Sequence, residues 1–297
     1  MADTITAGTT LFPTKLVNEV FNKVKGHSSL AILSAQNPIP FTGQDSFIFS
    51  MDGEASIVGE GAEKPAGEAS WTTATIKPIK YVYQHRVTDE FIHMSEEEQV
   101  PYVAAFTDGF AKKIARALDI SAIHGVNPYD GEASDTVGSN NYDSAVTNIV
   151  TYDADAPDDN IDDATALIIE NDGDINGIAM SRTFGAALGK LKTTDGYALY
   201  PEFRFGNNPG SFNGMKSDLN NTVSFGSSAD MAIVGDFANA FRWGYALNVP
   251  MEVIEFGDPD GQGDLKRMNQ VVLRAEAYIG WGILDADSFA LIQSAAS

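Results

Sequence analysis

An α+β fold of elongated shape is predicted by three features of the sequence. They are a helical pattern of about 30 residues, a strand of strict two-residue alternation near the opposite end of the chain, and a strand, helix, strand order between them. The helix runs from Ser95 to about Gly125. Ser95 and Glu98 form a capping box, Glu96 and Glu97 suit the positive end of the helix dipole, and Lys112, Lys113 and Arg116 lie toward its negative end. Phe106, Phe110, Ile114 and Leu118 recur at spacing four, with Val103 and Ala117 beside them, and Gly125 supplies the stop. Such a helix is roughly 45 Å long. The strand places Val271, Leu273, Ala275, Ala277, Ile279, Trp281 and Ile283 on one face, opposite Arg274, Glu276 and Tyr278. It would run roughly 40 Å, so helix and strand can pack along each other as a long platform.

The remaining elements follow in chain order. Residues 1–12 are small and polar and read as an arm that orders only against a partner. Leu16, Val17, Val20, Phe21 and Val24 give a short amphipathic helix from Pro13 to Lys25. Between residues 46 and 94, Phe47–Met51 and Ala55–Val58 read as strand, and Ile79, Tyr81, Tyr83, His85 and Val87 alternate with polar or smaller neighbours. These are expected to be the two sides of a long hairpin. Its tip, Gly59 to Glu68, is turn-rich and charged, with almost nothing to bury, so it projects and needs a supporting surface.

Beyond the long helix, residues 126–159 are rich in Asn, Asp, Ser and Gly, with a strand only near Ala145–Thr151. Ile161–Asn171 reads as helix, Ile175–Met180 as strand, and Ser181 as the cap of a helix to Lys192 with Phe184, Ala187, Leu188 and Leu191 on one face. Tyr197–Gly214 reads as a long loop, and Met231–Val234 and Val249–Phe256 as strands.

Composition narrows the function. With 41 acidic against 19 basic residues, a formal charge of -22 argues against phosphate-neutralising nucleic-acid binding and against attraction to anionic membranes. No cysteine is present, so disulfides and thiolate metal sites do not contribute. The first residues lack a basic segment followed by an apolar one, and no apolar run reaches the roughly 18 residues of a membrane span.

Catalytic motifs fail on inspection. No HExxH occurs, and His27, His85, His93 and His124 are not paired at ligand spacing; His93 with Glu96 or Glu97 straddles a helix start and reads as surface or cap. Gly189-Lys190 resembles the end of a phosphate loop, but Phe184 stands at its first glycine and Leu191 after its lysine. Asp258, Asp260 and Gly263 partly match a calcium loop, yet Gln262 and Asn269 break it and the flanks read as strands, so a hairpin turn is expected. Gly59 and Gly61 lack the third glycine of a dinucleotide fingerprint, and no Gly-x-Ser-x-Gly elbow is present. No catalytic, cofactor-binding or metal-ligating residue is predicted.

The order of elements resembles the major capsid proteins of tailed bacteriophages with the HK97-type fold. The local matches are Gly59-Glu60-Gly61-Ala62-Glu63-Lys64-Pro65, Ile76-Lys77-Pro78-Ile79-Lys80, Glu90-Phe91, Val249-Pro250-Met251-Glu252-Val253, and Arg274-Ala275-Glu276-Ala277 with Phe289. The resemblance implies an N-terminal arm and short helix over 1–45, an extended loop and its return over 46–94, and a peripheral-domain spine helix over 95–127. An axial domain over 128–245 follows, then peripheral long strands and a C-terminal return over 246–297. It further implies assembly through pentamers and hexamers into an icosahedral head around double-stranded DNA, without turnover and without cofactor. Implied partners are further copies of the chain, a separate scaffolding protein, a portal, a decoration protein and DNA bound without sequence preference; the location is the virion, preceded by the host cytoplasm.

Glu60, Glu63 and Lys64 are then expected to make charge contacts with the adjacent subunit, the alternative being solvation. Trp71 is expected to anchor the loop on apolar surface, the alternative being ordinary hairpin packing. Lys64 lies where some relatives form a lysine–asparagine crosslink, but no partner asparagine or assisting glutamate is identifiable. Two other readings remain: an encapsulin-type cargo shell of the same fold, and an acidic α/β hydrolase with a pocket of Asp, Glu or His.

Overall fold

A computed structural model describes residues 27–52, 55–64, 66–94, 96–247 and 251–295. The arm and helix expected over residues 1–25, and the Ser95 cap, lie outside them. The elements are α1 (Ser29–Leu33), β1 (Gln44–Asp52), β2 (Glu68–Ile76), β3 (Ile79–Thr88), α2 (Glu90–His93), α3 (Glu96–His124), α4 (Tyr142–Ala145), β4 (Ile149–Thr151), α5 (Pro157–Glu170), β5 (Gly177–Met180), α6 (Arg182–Leu188), β6 (Ser211–Phe212), β7 (Met215–Leu219), β8 (Asp230–Gly235), β9 (Phe241–Leu247), β10 (Met251–Ile254), β11 (Gln270–Ile283) and β12 (Phe289–Gln293).

The long strand and the long helix set the frame. β11 pairs antiparallel with β3 along one edge, and β10 and then β9 share its other edge. Its alternation is read out directly. Leu273, Ala275, Ala277, Ile279 and Trp281 are buried with Phe106, Phe110, Ile114 and Leu118 of α3, while the outer face carries Lys80–Glu276 at 2.8 Å and Arg274–Glu252 at 3.5 Å. α3 spans 29 residues and stops where Gly125 turns to φ +69°, a conformation that favours glycine.

A second, six-stranded sheet has the order β4-β12-β8-β5-β7-β6. Period two divides its residues between two cores. Ala179, Ile233, Phe289 and Leu291 face the core shared with α3, and Ile178, Met180, Val234, Ala290 and Ile292 face one shared with α5 and α6. Ser181 caps α6 as expected, accepting from the Phe184 amide.

Four expectations are corrected. The hairpin is β1 with β2, in register from Gln44↔Ile76 to Asp52↔Glu68, whereas β3 belongs to the sheet of β11. Pro78 separates the two strands, since proline cannot donate to a ladder, and the β-branched run Thr72, Thr73, Thr75, Ile76 forms the return. Residues 55–58 are not strand. α6 ends at Leu188 rather than Lys192; Gly189 is its C-cap, and it passes so close to Phe203 that a Cβ would meet its carbonyl oxygen at 2.8 Å. The segmentation at residues 245 and 246 does not follow the sheets: β9 lies beside β11, and β12 inserts between β4 and β8 of the six-stranded sheet.

Candidate subunit interface

The hairpin is joined to the body at its base. Ile76 is buried on β11, where a Cβ on Gly282 would meet its Cγ1 at 2.8 Å, so glycine makes room for it. Beyond that point the alternation of β1 and β2 places Phe47, Phe49 and Trp71 on one face. Phe49 lies opposite Trp71 in register, with ring centroids 5.2 Å apart, and Phe47 meets Trp71 at 6.5 Å, both edge to face. Phe47 and Trp71 are each 71% exposed and Phe49 51% exposed. Three aromatic rings held together in water form an apolar patch of the kind that marks an interaction surface. Trp71 thus packs on two rings of its own hairpin and still leaves most of its surface uncovered.

At the tip, the Ala62 amide donates to the Gly59 carbonyl at 3.1 Å, and Gly61 takes φ +80°, so Glu60 sits at the apex of a tight turn. Glu60, Glu63 and Lys64 are exposed, and none forms an ion pair with a described residue. The tip charges and the aromatic patch are thus separate parts of one projecting element.

Two buried polar clusters hold the body behind the hairpin. Asp119 on α3 accepts from the Ser28 hydroxyl, the Ser29 amide (2.9 Å), the Leu30 amide (3.3 Å), Thr222 Oγ1 (2.8 Å) and Asn220 Nδ2 (3.3 Å). Burial outweighs those donors and pushes its carboxyl up to about 6. At the end of α3, His124 meets Asp143 and Asp230. Burial opposes the imidazolium, but the hydrogen bonds it donates to Asp143 and Asp230 outweigh that and push His124 up to about 10. Burial raises Asp143, whereas the His124 hydrogen bond leads the effects that lower Asp230 against burial. Sequence spacing missed this cluster because its members meet only through tertiary packing.

The partial calcium loop is the β10–β11 connection, as the hairpin reading expected. A guanidinium takes the place of a cation there. Arg86 donates to Asp258 (3.1 Å), Asp260 (2.9 Å), the Gly263 carbonyl (2.7 Å) and Gln270 (3.1 Å). His93 closes α2, and the side chains of Glu96 and Glu97 lie outside the described residues. Among the described residues, no helix is long and apolar enough to cross a membrane.

A long helix and strand packed together, with a hairpin whose aromatic face is uncovered, suit a structural subunit that leaves surface for another chain. Comparison with known proteins places it. The model of the phage capsid family matches residues 8–294. A solved structure from Mycobacterium phage Ogopogo is 32% identical with a TM-score of 0.79, covering 91% of this chain and 92% of that one. One from Gordonia phage Cozz is 24% identical with a TM-score of 0.74, covering 91% and 87%. A chain from the capsid of a native GTA particle, at 17% identity and a TM-score of 0.59 over 90% of each chain, shares the fold. Comparison with curated proteins returns no match. The chain belongs to the phage capsid family: it has the HK97-type α+β fold and is a structural major capsid protein, found in the virion as a subunit of the icosahedral capsid.

Proposed function

We propose that the chain builds a phage head through pentamers and hexamers that close around double-stranded DNA, with no catalytic step. The observation that carries this reading is the uncovered aromatic face of the hairpin, Phe47, Phe49 and Trp71, on an element with Ile76 buried at its base. A hairpin laid on a different surface of the next copy is a head-to-tail contact, and such contacts close into rings. Trp71 anchors the hairpin there, with Glu60, Glu63 and Lys64 making charge contacts at the rim. Rim charges set orientation and association rate more than affinity, so the aromatic rings carry most of the binding energy.

The sheet of β3, β9, β10 and β11 with α3 serves as the peripheral unit, and the six-stranded sheet with α5 and α6 as the axial unit near the symmetry axes. A charge of -22 suits a container that must not trap its polyanionic contents. Scaffolding, portal and decoration proteins are separate chains that meet this one in the host cytoplasm, before or during shell closure. Size-exclusion chromatography and negative-stain microscopy of the chain alone, and with a candidate scaffolding protein, test this. Rings of five and six or uniform shells are expected, and a stable monomer under both conditions would overturn it.

A further inference from the structure

We propose that His124, Asp143 and Asp230 form a binding site for one divalent transition-metal ion of the zinc kind. The three residues come from the end of α3, the first turn of α4 and the start of β8. His124 Nδ1 lies 3.0 Å from Asp143 Oδ2 and 3.1 Å from Asp230 Oδ2, and one ligand atom from each residue falls within 4.8 Å of the other two. Zinc bonds of about 2.0 Å in a tetrahedron separate ligand atoms by roughly 3.3 Å, so small adjustments admit the ion.

The surroundings hold the ligand atoms as a metal site requires. His124 Nε2 donates to the Thr222 carbonyl at 3.0 Å, which leaves Nδ1 as the nitrogen facing the carboxylates. Asp230 is oriented by Gln293 Nε2 on Oδ1 at 2.8 Å and by Ser228 Oγ on Oδ2 at 2.8 Å. His124 and Asp230 side chains are 4% and 1% exposed, while Asp143 at 32% leaves an entry path and room for a water as fourth ligand.

Charge favours the ion. Two carboxyl groups facing one imidazole nitrogen, with His124 and Asp230 almost wholly buried, suit a divalent cation. The cation also stands at the C-terminal, negative end of a 29-residue helix. A nitrogen with two carboxylate oxygens suits zinc or its neighbours rather than calcium or magnesium, which prefer an all-oxygen shell of at least six ligands. On binding, the metal ties the end of α3 to the six-stranded sheet.

The test uses the full chain, stripped with chelator and titrated with Zn²⁺ alone near neutral pH, by calorimetry and by metal analysis after gel filtration. About one ion per chain is expected, and Co²⁺ in its place should give the intense visible bands of a tetrahedral site. Asp143→Asn changes the most exposed of the three ligands and keeps an acceptor oxygen for His124; it should weaken Zn²⁺ by about 100-fold or more, since even outer partners of a metal site are worth 10- to 100-fold. Absence of bound Zn²⁺ overturns the proposal. So does binding that Asp143→Asn and Asp230→Asn leave unchanged, which would be diffuse attraction to an acidic surface, and so do octahedral Co²⁺ bands.

Discussion

Phe49 and Trp71 face each other across the hairpin, ring centroids 5.2 Å apart and planes inclined by 71°, with more than half of each side chain in water. An isolated edge-to-face pair on a two-stranded ribbon stabilises it by only about 0.5 to 1.5 kcal/mol, so the pair's larger contribution lies in what it docks against.

Trp71→Ala should therefore separate folding from assembly. The melting transition of the unassembled subunit is expected to stay within about 0.5 kcal/mol of the parent, as for other exposed positions. Association should weaken by about 2 kcal/mol or more, roughly 30-fold in the concentration needed for capsomers. Concentration-dependent size-exclusion chromatography beside a thermal melt reads both; unchanged assembly would remove Trp71 from the interface.

The base of the hairpin behaves differently. Ile76→Ala empties a fully buried site and should cost about 2 to 5 kcal/mol, and Gly282→Ala drives a Cβ into Ile76 and should cost about 1 to 3 kcal/mol. Denaturant midpoints measure each. Amide exchange in β1 and β2 should accelerate in Ile76→Ala far more than exchange in β11.

Asp119 makes stability depend on pH. Its folded-state carboxyl is raised to about 6 from an ordinary value of 3.8, so between those values the folded chain binds the extra proton. The contribution is full below about pH 4 and is lost as pH rises through about 6. Asp119→Asn replaces one of the two acceptor oxygens shared by the Ser29 and Leu30 amides with an NH2 donor and should be less stable throughout. Its deficit should narrow by roughly 2 to 3 kcal/mol between about pH 4 and pH 6. A deficit independent of pH across that window would refute the assignment.

Arg86 organises the β10–β11 connection. Its hydrogen bond, ahead of other effects, holds Asp260 down to about 2, so the pair's stabilisation is present above about pH 4 and is lost as pH falls through about 2. Arg86→Ala should return Asp260 to the usual carboxylate range and open residues 255–269 to limited proteolysis. Arg86→Lys should restore neither, because one ammonium cannot span Asp258, Asp260, the Gly263 carbonyl and Gln270. Cleavage rates and a carboxylate titration by NMR distinguish the three chains.

Local periodicity made the long elements legible. The spacing-four stripe of Phe106, Phe110, Ile114 and Leu118 and the alternation from Val271 to Ile283 each bury one face, so composition along the chain already specified α3 and β11. Gly125 and Ser181 marked boundaries because a left-handed turn and a helix cap are local requirements. Strand partnership is a different matter. The alternation of residues 79–87 reads as the return for β1, yet residues 68–76 form it, with Ile76 buried against Gly282 and Pro78 interrupting the chain before β3. The same holds for β12, whose five residues pair between β8 and β4 because both faces of the six-stranded sheet must be covered. The meeting of His124 with Asp143 and Asp230, and of Asp119 with Ser28 and Thr222, likewise depends on how α3 lies across the sheets. Sequence alone determined the longest helix, the longest strand and one charged, exposed turn, since those follow from each residue's own neighbours. Tertiary structure decided which strands pair, which aromatic rings remain uncovered and which buried charges meet, because those depend on surfaces contributed by residues far apart in the chain.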